Sequence, residues 1–226
     1  MDPRKRILIL VVGGAVLGWL LLRDGTLDRT DAIIYGSLVP SVILHEVSHG
    51  VVALGFGDDT AKRAGRLTLN PIPHIDPFWT VLMPGLMLLT AGAAIGMAKP
   101  VPVNPAKMRS PRNNDVVVAL AGPATNIALA LIAGLFIRAG ARGLAGEILL
   151  GFGLVNVWLA AFNLIPLPPL DGSAVIERLL PDRWLASWFK FRQYSFLVLF
   201  ALFFLAGDLF DRWINPAVDL WFRFLV

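Results

Sequence analysis

Apolar and polar residues alternate in long blocks along the chain, and several apolar blocks have the length of a bilayer. Residues 7–22 form an apolar run that follows Arg4, Lys5 and Arg6 and precedes Arg23 and Asp24. At 1.5 Å per residue the run is slightly short for a hydrocarbon core of about 30 Å, so it borrows flanking residues. It resembles a secretory leader, but no small-residue cleavage site follows, and it reads as a first membrane helix. Residues 32–56 make a second span, interrupted in its middle by His45, Glu46, Ser48 and His49. Residues 57–76 are polar and turn-rich, with a strand-like stretch at 66–69 before Asn70 and Pro71. Residues 78–98 are apolar but broken by Pro84, Gly85, Gly92 and Gly96, which fits either a span or a re-entrant element. Prolines at 100, 102 and 105 then force extended backbone over 99–105. Two clear spans follow at 116–137 and 148–165. Residues 173–192 are amphipathic and fit a membrane-surface helix, 196–210 is a last apolar run, and 213–226 is an aromatic-rich tail. The expected fold is an all-α polytopic membrane protein, with about five to six transmembrane helices, a re-entrant segment and a small β-hairpin near the site described below.

Composition agrees with this pattern and narrows the chemistry. Of 226 residues, 56% are hydrophobic and only 16% charged, with a mean hydropathy of +0.68, which is too apolar for an ordinary soluble domain. There is no cysteine, so disulfides, zinc fingers and thiol nucleophiles are excluded and any metal must take nitrogen and oxygen ligands. The formal charge of +4 comes from short basic clusters between apolar runs, which read as cytoplasmic anchors rather than as a nucleic-acid surface. Trp19, Trp79, Trp184, Trp188 and Trp213 sit at expected membrane interfaces.

The candidate chemistry begins at His45-Glu46-Val47-Ser48-His49. On a helix, residues four apart share a face, so both imidazoles can bind one Zn²⁺ while Glu46 beside them accepts a proton from water. Ionisable residues are costly inside a bilayer and mark function there. A catalytic zinc also needs a third protein ligand, and His74, Asp76, Asp115, Glu147, Asp171, Glu177 and Asp208 are candidates. The positive-inside rule ranks them. A cytoplasmic N-terminus places His45 and His49 in the inner half of an inward-running helix, with Lys62, Arg63 and Arg66 inside. If 78–98 is re-entrant, Lys99, Lys107, Arg109 and Arg112 also stay inside, and Asp171 emerges near the same face as the histidines. Asp208 then ends near the outer face. Pro166, Pro168 and Pro169 unwind the backbone just before Asp171, although a capping role for an aspartate after a proline loop remains open on this ground alone.

Two motifs together make the resemblance specific. His45, Glu46 and His49 fit H-E-x-x-H, and Asn163, Pro166, Leu170, Asp171 and Gly172 fit N-x-x-P-x-x-x-L-D-G, so the chain resembles the site-2 protease family of intramembrane metalloproteases. Gly122 to Asn126, 70–77 and 99–104 also look typical of the family, and the resemblance covers about residues 34–172. It implies one Zn²⁺ per chain held by His45, His49 and Asp171, with Glu46 as catalytic base and water access from the cytosol. The expected activity is zinc-dependent hydrolysis of peptide bonds in or near transmembrane segments. Asn163 and Asn126 are candidates for substrate or oxyanion contacts, with helix-to-helix bonding as the plainer role. The chain is expected to be a single integral membrane domain over 1–226, with a catalytic core at about 32–172 and C-terminal amphipathic and membrane segments at 173–226, in the minimal form without PDZ or CBS domain. Implied partners are the bilayer and a transmembrane protein substrate such as a membrane-tethered transcriptional regulator, with no nucleic acid. The expected location is the cell membrane.

Overall fold

The computed structural model describes residues 28–76 and 99–226. Helix α1 (Arg29–Gly55) opens on a reciprocal cap. Asp28 accepts the Asp31 N–H at 2.8 Å and Asp31 accepts the Asp28 N–H at 3.0 Å, which satisfies donors that a helix start leaves open. The single turn α2 (Thr60–Arg63) follows, and α3 (Pro111–Arg138) begins on a proline whose missing N–H is harmless in a first turn. A short turn at 139–142 leads into α4 (Gly143–Asn163), antiparallel to α3. Helices α1, α3 and α4 pack on one another. Ala53, Ala130, Ala133, Ala160 and Ala161 are buried in these helices, and small side chains let helix backbones approach closely.

All three helices are long and apolar enough to cross a membrane. Their outward faces expose Val39, Val51, Ile132, Leu135, Phe136 and Ile148, which water would disfavour and lipid accepts. The chain continues as α5 (Ser173–Leu179), α6 (Asp182–Arg192), α7 (Ser195–Leu205) and α8 (Gly207–Leu225). Helix α8 lies along α4 and α3. Its Trp221 is buried and donates to the Ala130 carbonyl at 3.0 Å, while Trp213 donates to the Ala161 carbonyl at 2.8 Å. The opposite face of α8 carries Asp208, Asp211, Arg212, Asn215, Asp219 and Arg223, all exposed.

The structure corrects the sequence expectation in two places. No strand forms among the described residues, so residues 66–70 do not make the expected β-hairpin. Side chains take the local donors instead: Thr68 Oγ1 accepts the Asn70 N–H at 3.1 Å and Asn70 Oδ1 accepts the Ile72 N–H at 3.0 Å. The expected surface helix at 173–192 is two helices, because Pro181 bars helical backbone at Leu180, whose ψ is 133°. The aromatic tail, whose placement the sequence leaves open, is helical and packed on α3 and α4. The first span at 7–22 and the re-entrant element at 78–98 lie outside the described residues.

Candidate metal centre

Ser37, Ser41, His45 and His49 recur every fourth residue of α1 and share one face, and all four are buried. The two imidazoles meet edge to face with ring centroids 4.7 Å apart. His45 Nδ1 donates to Asn126 Oδ1 of α3 at 2.6 Å, and His49 Nδ1 donates to the Val118 carbonyl at 2.7 Å. A carbonyl only accepts, so each ring carries a proton on Nδ1, and the neutral imidazole then keeps its lone pair on Nε2.

Asp171 reaches the same point from beyond α4. The prolines at 166, 168 and 169 lack N–H groups and end the helix, after which the chain doubles back on it. The Gly172 N–H donates to the Asn163 carbonyl at 2.7 Å, and the Leu170 N–H to the Leu167 carbonyl at 2.9 Å. Only glycine fits at 172, because a Cβ there would lie 2.3 Å from the Leu164 carbonyl oxygen. The turn delivers Asp171 Oδ2 to 3.1 Å from His45 Nε2 and 3.5 Å from His49 Nε2.

Three ligand atoms thus converge, and Asp171 Oδ2 is buried without a hydrogen-bond partner. With neutral imidazoles and no cation the arrangement would be repulsive and poorly solvated. Tetrahedral zinc with bonds of about 2.0–2.1 Å sets its ligands about 3.3 Å apart, and the two observed separations bracket that spacing. Gly122 of α3 leaves the space open, since a Cβ there would come within 2.5 Å of His45 Nε2 and of His49 Nε2. Donor chemistry, tautomers and room all fit a zinc ion, and His45, His49 and Asp171 are positioned to hold it.

Glu46 stands beside this set, half-buried, and its Oε2 accepts the Val101 N–H at 2.7 Å. Val101 belongs to the extended segment 99–104, which is fastened at both ends. The Arg66 guanidinium donates to the carbonyls of Lys99 and Pro100, and Asp58 Oδ2 accepts the Asn104 N–H at 2.6 Å. Burial pushes the Asp58 carboxyl up, but the Asn104 N–H, the Thr60 hydroxyl and N–H and the Lys107 charge outweigh it and hold the group below the usual carboxylate range. Pro100 and Pro102 have no N–H to offer, so the segment's donors are at 99, 101, 103 and 104; the Lys99 N–H donates to the His74 carbonyl at 2.9 Å, and Val103 lines the cavity in front of the metal ligands. That cavity has a volume of about 470 Å³ and is lined by Trp158 and Phe162 of α4 and by Phe196 and Phe200 of α7.

The other candidates lie elsewhere. His74 is buried and donates to the Thr68 carbonyl at 3.0 Å. Glu147 pairs with Arg29 at 3.1 Å, and Glu177 with Arg192 at 3.3 Å. Asp115 lines the cavity wall but is not among the converging ligands, and Asp208 is exposed on α8. Asn163 lines the cavity and donates to the Leu159 carbonyl at 2.9 Å. Asn126 is fully buried against His45, and Asn156 of α4, which sequence reasoning missed, is fully buried against Asn126. An amide midway along an apolar span was the available signal for Asn156.

Comparison with known proteins agrees with this geometry. A Bacillus subtilis protein named "Putative zinc metalloprotease YwhC" is 43% identical over 178 residues, covering 74% of this chain and 78% of that protein. Proteins named "Putative zinc metalloprotease Rip2" are 28% identical over 97% of this chain in Mycolicibacterium smegmatis and 32% identical over 84% of it in Mycobacterium tuberculosis. They are covered over 82% and 69% of their own lengths. No family model matches the chain, and no solved structure matches it.

Proposed function

Because the chain belongs to the site-2 protease family of zinc metalloproteases, we propose that it hydrolyses peptide bonds in or near the transmembrane segments of other membrane proteins. The observation that carries this reading is the placement of Glu46 beside three converging ligand atoms, at the floor of a largely apolar cavity walled by span-length helices. Zinc, when bound by His45, His49 and Asp171, supplies Lewis acidity that acidifies a water and polarises a carbonyl. Glu46 accepts the proton of the attacking water and returns it to the leaving nitrogen. The Val101 N–H holds the Glu46 carboxylate in place while leaving its second oxygen to do so.

A substrate helix hides its carbonyls in its own hydrogen bonds and must unwind before one can be attacked. Segment 99–104 supports capture of the unwound strand by β-addition. In extended backbone, alternate residues present their polar groups to the same edge. The residues without N–H groups, Pro100 and Pro102, therefore lie on the opposite edge from Val101, whose N–H meets Glu46, and Val103 shares the Glu46 edge. Asn163 faces the same cavity and is assigned to substrate contact.

The wider reading follows the charge pattern. One domain over 1–226, with its catalytic core at about 32–172, sits in the cell membrane with five to six spans, a re-entrant 78–98, a cytoplasmic N-terminus and water entry from the cytosol. Its substrate is a transmembrane protein, and a membrane-tethered transcriptional regulator fits that class. The test is zinc content and cleavage of a transmembrane substrate by the purified full chain in detergent. One zinc per chain with cleavage abolished in Glu46→Gln is expected. Cleavage that survives Glu46→Gln, or zinc retained at full level in Asp171→Ala, would overturn the assignment.

A further inference from the structure

Whether a histidine can bind a metal through Nε2 depends on what its Nδ1 faces. For His49 the partner is the Val118 carbonyl, which only accepts, so its tautomer is fixed outright. For His45 the partner is the side-chain amide of Asn126, whose two ends are nearly equal in size and opposite in polarity. With its oxygen toward the ring, Nδ1 carries the proton and Nε2 is free. With the amide turned over, its NH₂ would donate to Nδ1, the proton would move to Nε2 and the metal position would be blocked.

The surroundings of Asn126 decide between these states. Its Nδ2 donates to Asn156 Oδ1 at 2.7 Å and lies 3.4 Å from the Ser41 carbonyl. Asn156 is oriented in turn, because its Nδ2 donates to the Phe152 carbonyl at 2.8 Å and to Ser41 Oγ at 2.8 Å. The Ser41 hydroxyl passes its own proton to the Ser37 carbonyl at 2.7 Å. The bonds run one way, from imidazole through two amides and a hydroxyl to a helix carbonyl that cannot donate. Asn126, Asn156 and Ser41 are each 0% exposed, so solvent offers none of them another partner.

We propose that Asn156 is a positioning residue for the metal centre: it holds the Asn126 oxygen toward His45 and thereby reserves His45 Nε2 for the metal. This rests on the reading of His45 as a zinc ligand, and Asn156 touches no substrate. A residue that merely joins α4 to α3 would change stability when replaced but would leave the His45 tautomer where it was.

The experiment uses the full chain in detergent with ¹⁵N-labelled histidine, metal-free for nitrogen spectra and zinc-titrated against a chelator for affinity. The chain has three histidines, so His49→Gln and His74→Gln assign the signals. Asn156→Leu is expected to populate the Nε2–H form of His45 and to lower zinc affinity about 10- to 100-fold. Asn156→Asp, as the neutral acid, keeps an oxygen for Asn126 Nδ2 and an O–H for the Phe152 carbonyl, and is expected to keep both the tautomer and the affinity. His49 should not change in either variant. Unchanged His45 signals and affinity in Asn156→Leu would overturn the proposal. So would a wild-type His45 already protonated on Nε2, a result that stands even if Asn156→Leu fails to fold. A wild-type chain that binds no zinc would instead overturn the metal reading, and the nitrogen spectra would still decide the orientation.

Discussion

Gly122→Ala tests the metal centre through its empty space rather than through its ligands. A Cβ at this position would sit 2.5 Å from His45 Cε1, His45 Nε2 and His49 Nε2, about 1 Å short of ordinary contact. The rings have no slack to give, because Asn126 and the Val118 carbonyl pin their Nδ1 atoms at 2.6 and 2.7 Å. Relief therefore requires α1 and α3 to part or both imidazoles to turn. Overpacking of this kind costs about 1–3 kcal/mol of stability, which leaves a folded chain. A zinc site, by contrast, tolerates ligand displacements of only about 0.2 Å. Zinc affinity should fall at least about tenfold, with 1.4 kcal/mol marking each factor of ten. The assay is zinc bound per chain by elemental analysis, alongside thermal melting in the same detergent. Gly36→Ala is the control: a Cβ there meets nothing within 4 Å, and the helix gains up to about 1 kcal/mol in propensity. Full zinc occupancy and wild-type affinity in Gly122→Ala would refute the claim that this position is kept open for the ion.

Three further outcomes follow from other parts of the structure. The Asp58 carboxyl is held below its ordinary pKa of about 3.9, so the stability it contributes is complete above that value and is lost as pH falls through the lower folded-state value. Melting between pH 3 and 7, roughly the range that brackets carboxylate titration, should show an acid loss in wild type that is reduced in Asp58→Asn. Val103→Pro removes the segment's remaining N–H without touching a ligand, and should abolish cleavage while zinc per chain stays at the wild-type value; intact cleavage would refute β-addition at this edge. Trp221→Ala empties a buried site between Gly153 and Ala130 and should cost about 3–5 kcal/mol in melting, again with zinc content unchanged in the folded chain.

Much of the centre was legible because membrane residence makes polar residues informative. His45 and His49 share a helix face by spacing alone, and the prolines before Asp171 announced that the backbone must unwind there. The topology argument from basic clusters picked the aspartate that the structure brings to both imidazoles. What stayed hidden was pairing between distant segments. Nothing in the strand-like pattern at 66–69 showed that Thr68 and Asn70 side chains would take the local backbone donors, or that Arg66 would turn to the carbonyls of Lys99 and Pro100. Asn156 stood in plain view as an amide in an apolar span, but its partner lies 30 residues earlier on another helix. The placement of the tail at 213–226 was not legible for a related reason. Its charges lie on one face of α8, and average composition conceals the apolar face that packs on α4.

The directions of the hydrogen bonds around the site support the ligand assignment more strongly than the motif does. Both Nδ1 atoms donate, Glu46 accepts from a backbone amide, and Asn126 and Asn156 are bonded at both ends. The two Nε2 atoms converge on Asp171 Oδ2, which is buried without a hydrogen-bond partner. In an apolar interior an unpartnered carboxylate oxygen is among the costliest groups a fold can carry, and it persists where a cation meets it. A chance H-E-x-x-H string would have no reason to arrive with both tautomers fixed and Gly122 held open in front of them. Two imidazoles with Nδ1 engaged, an unpartnered buried carboxylate oxygen between their Nε2 atoms and the space that Gly122 leaves there therefore place the ion at this point independently of the sequence motif.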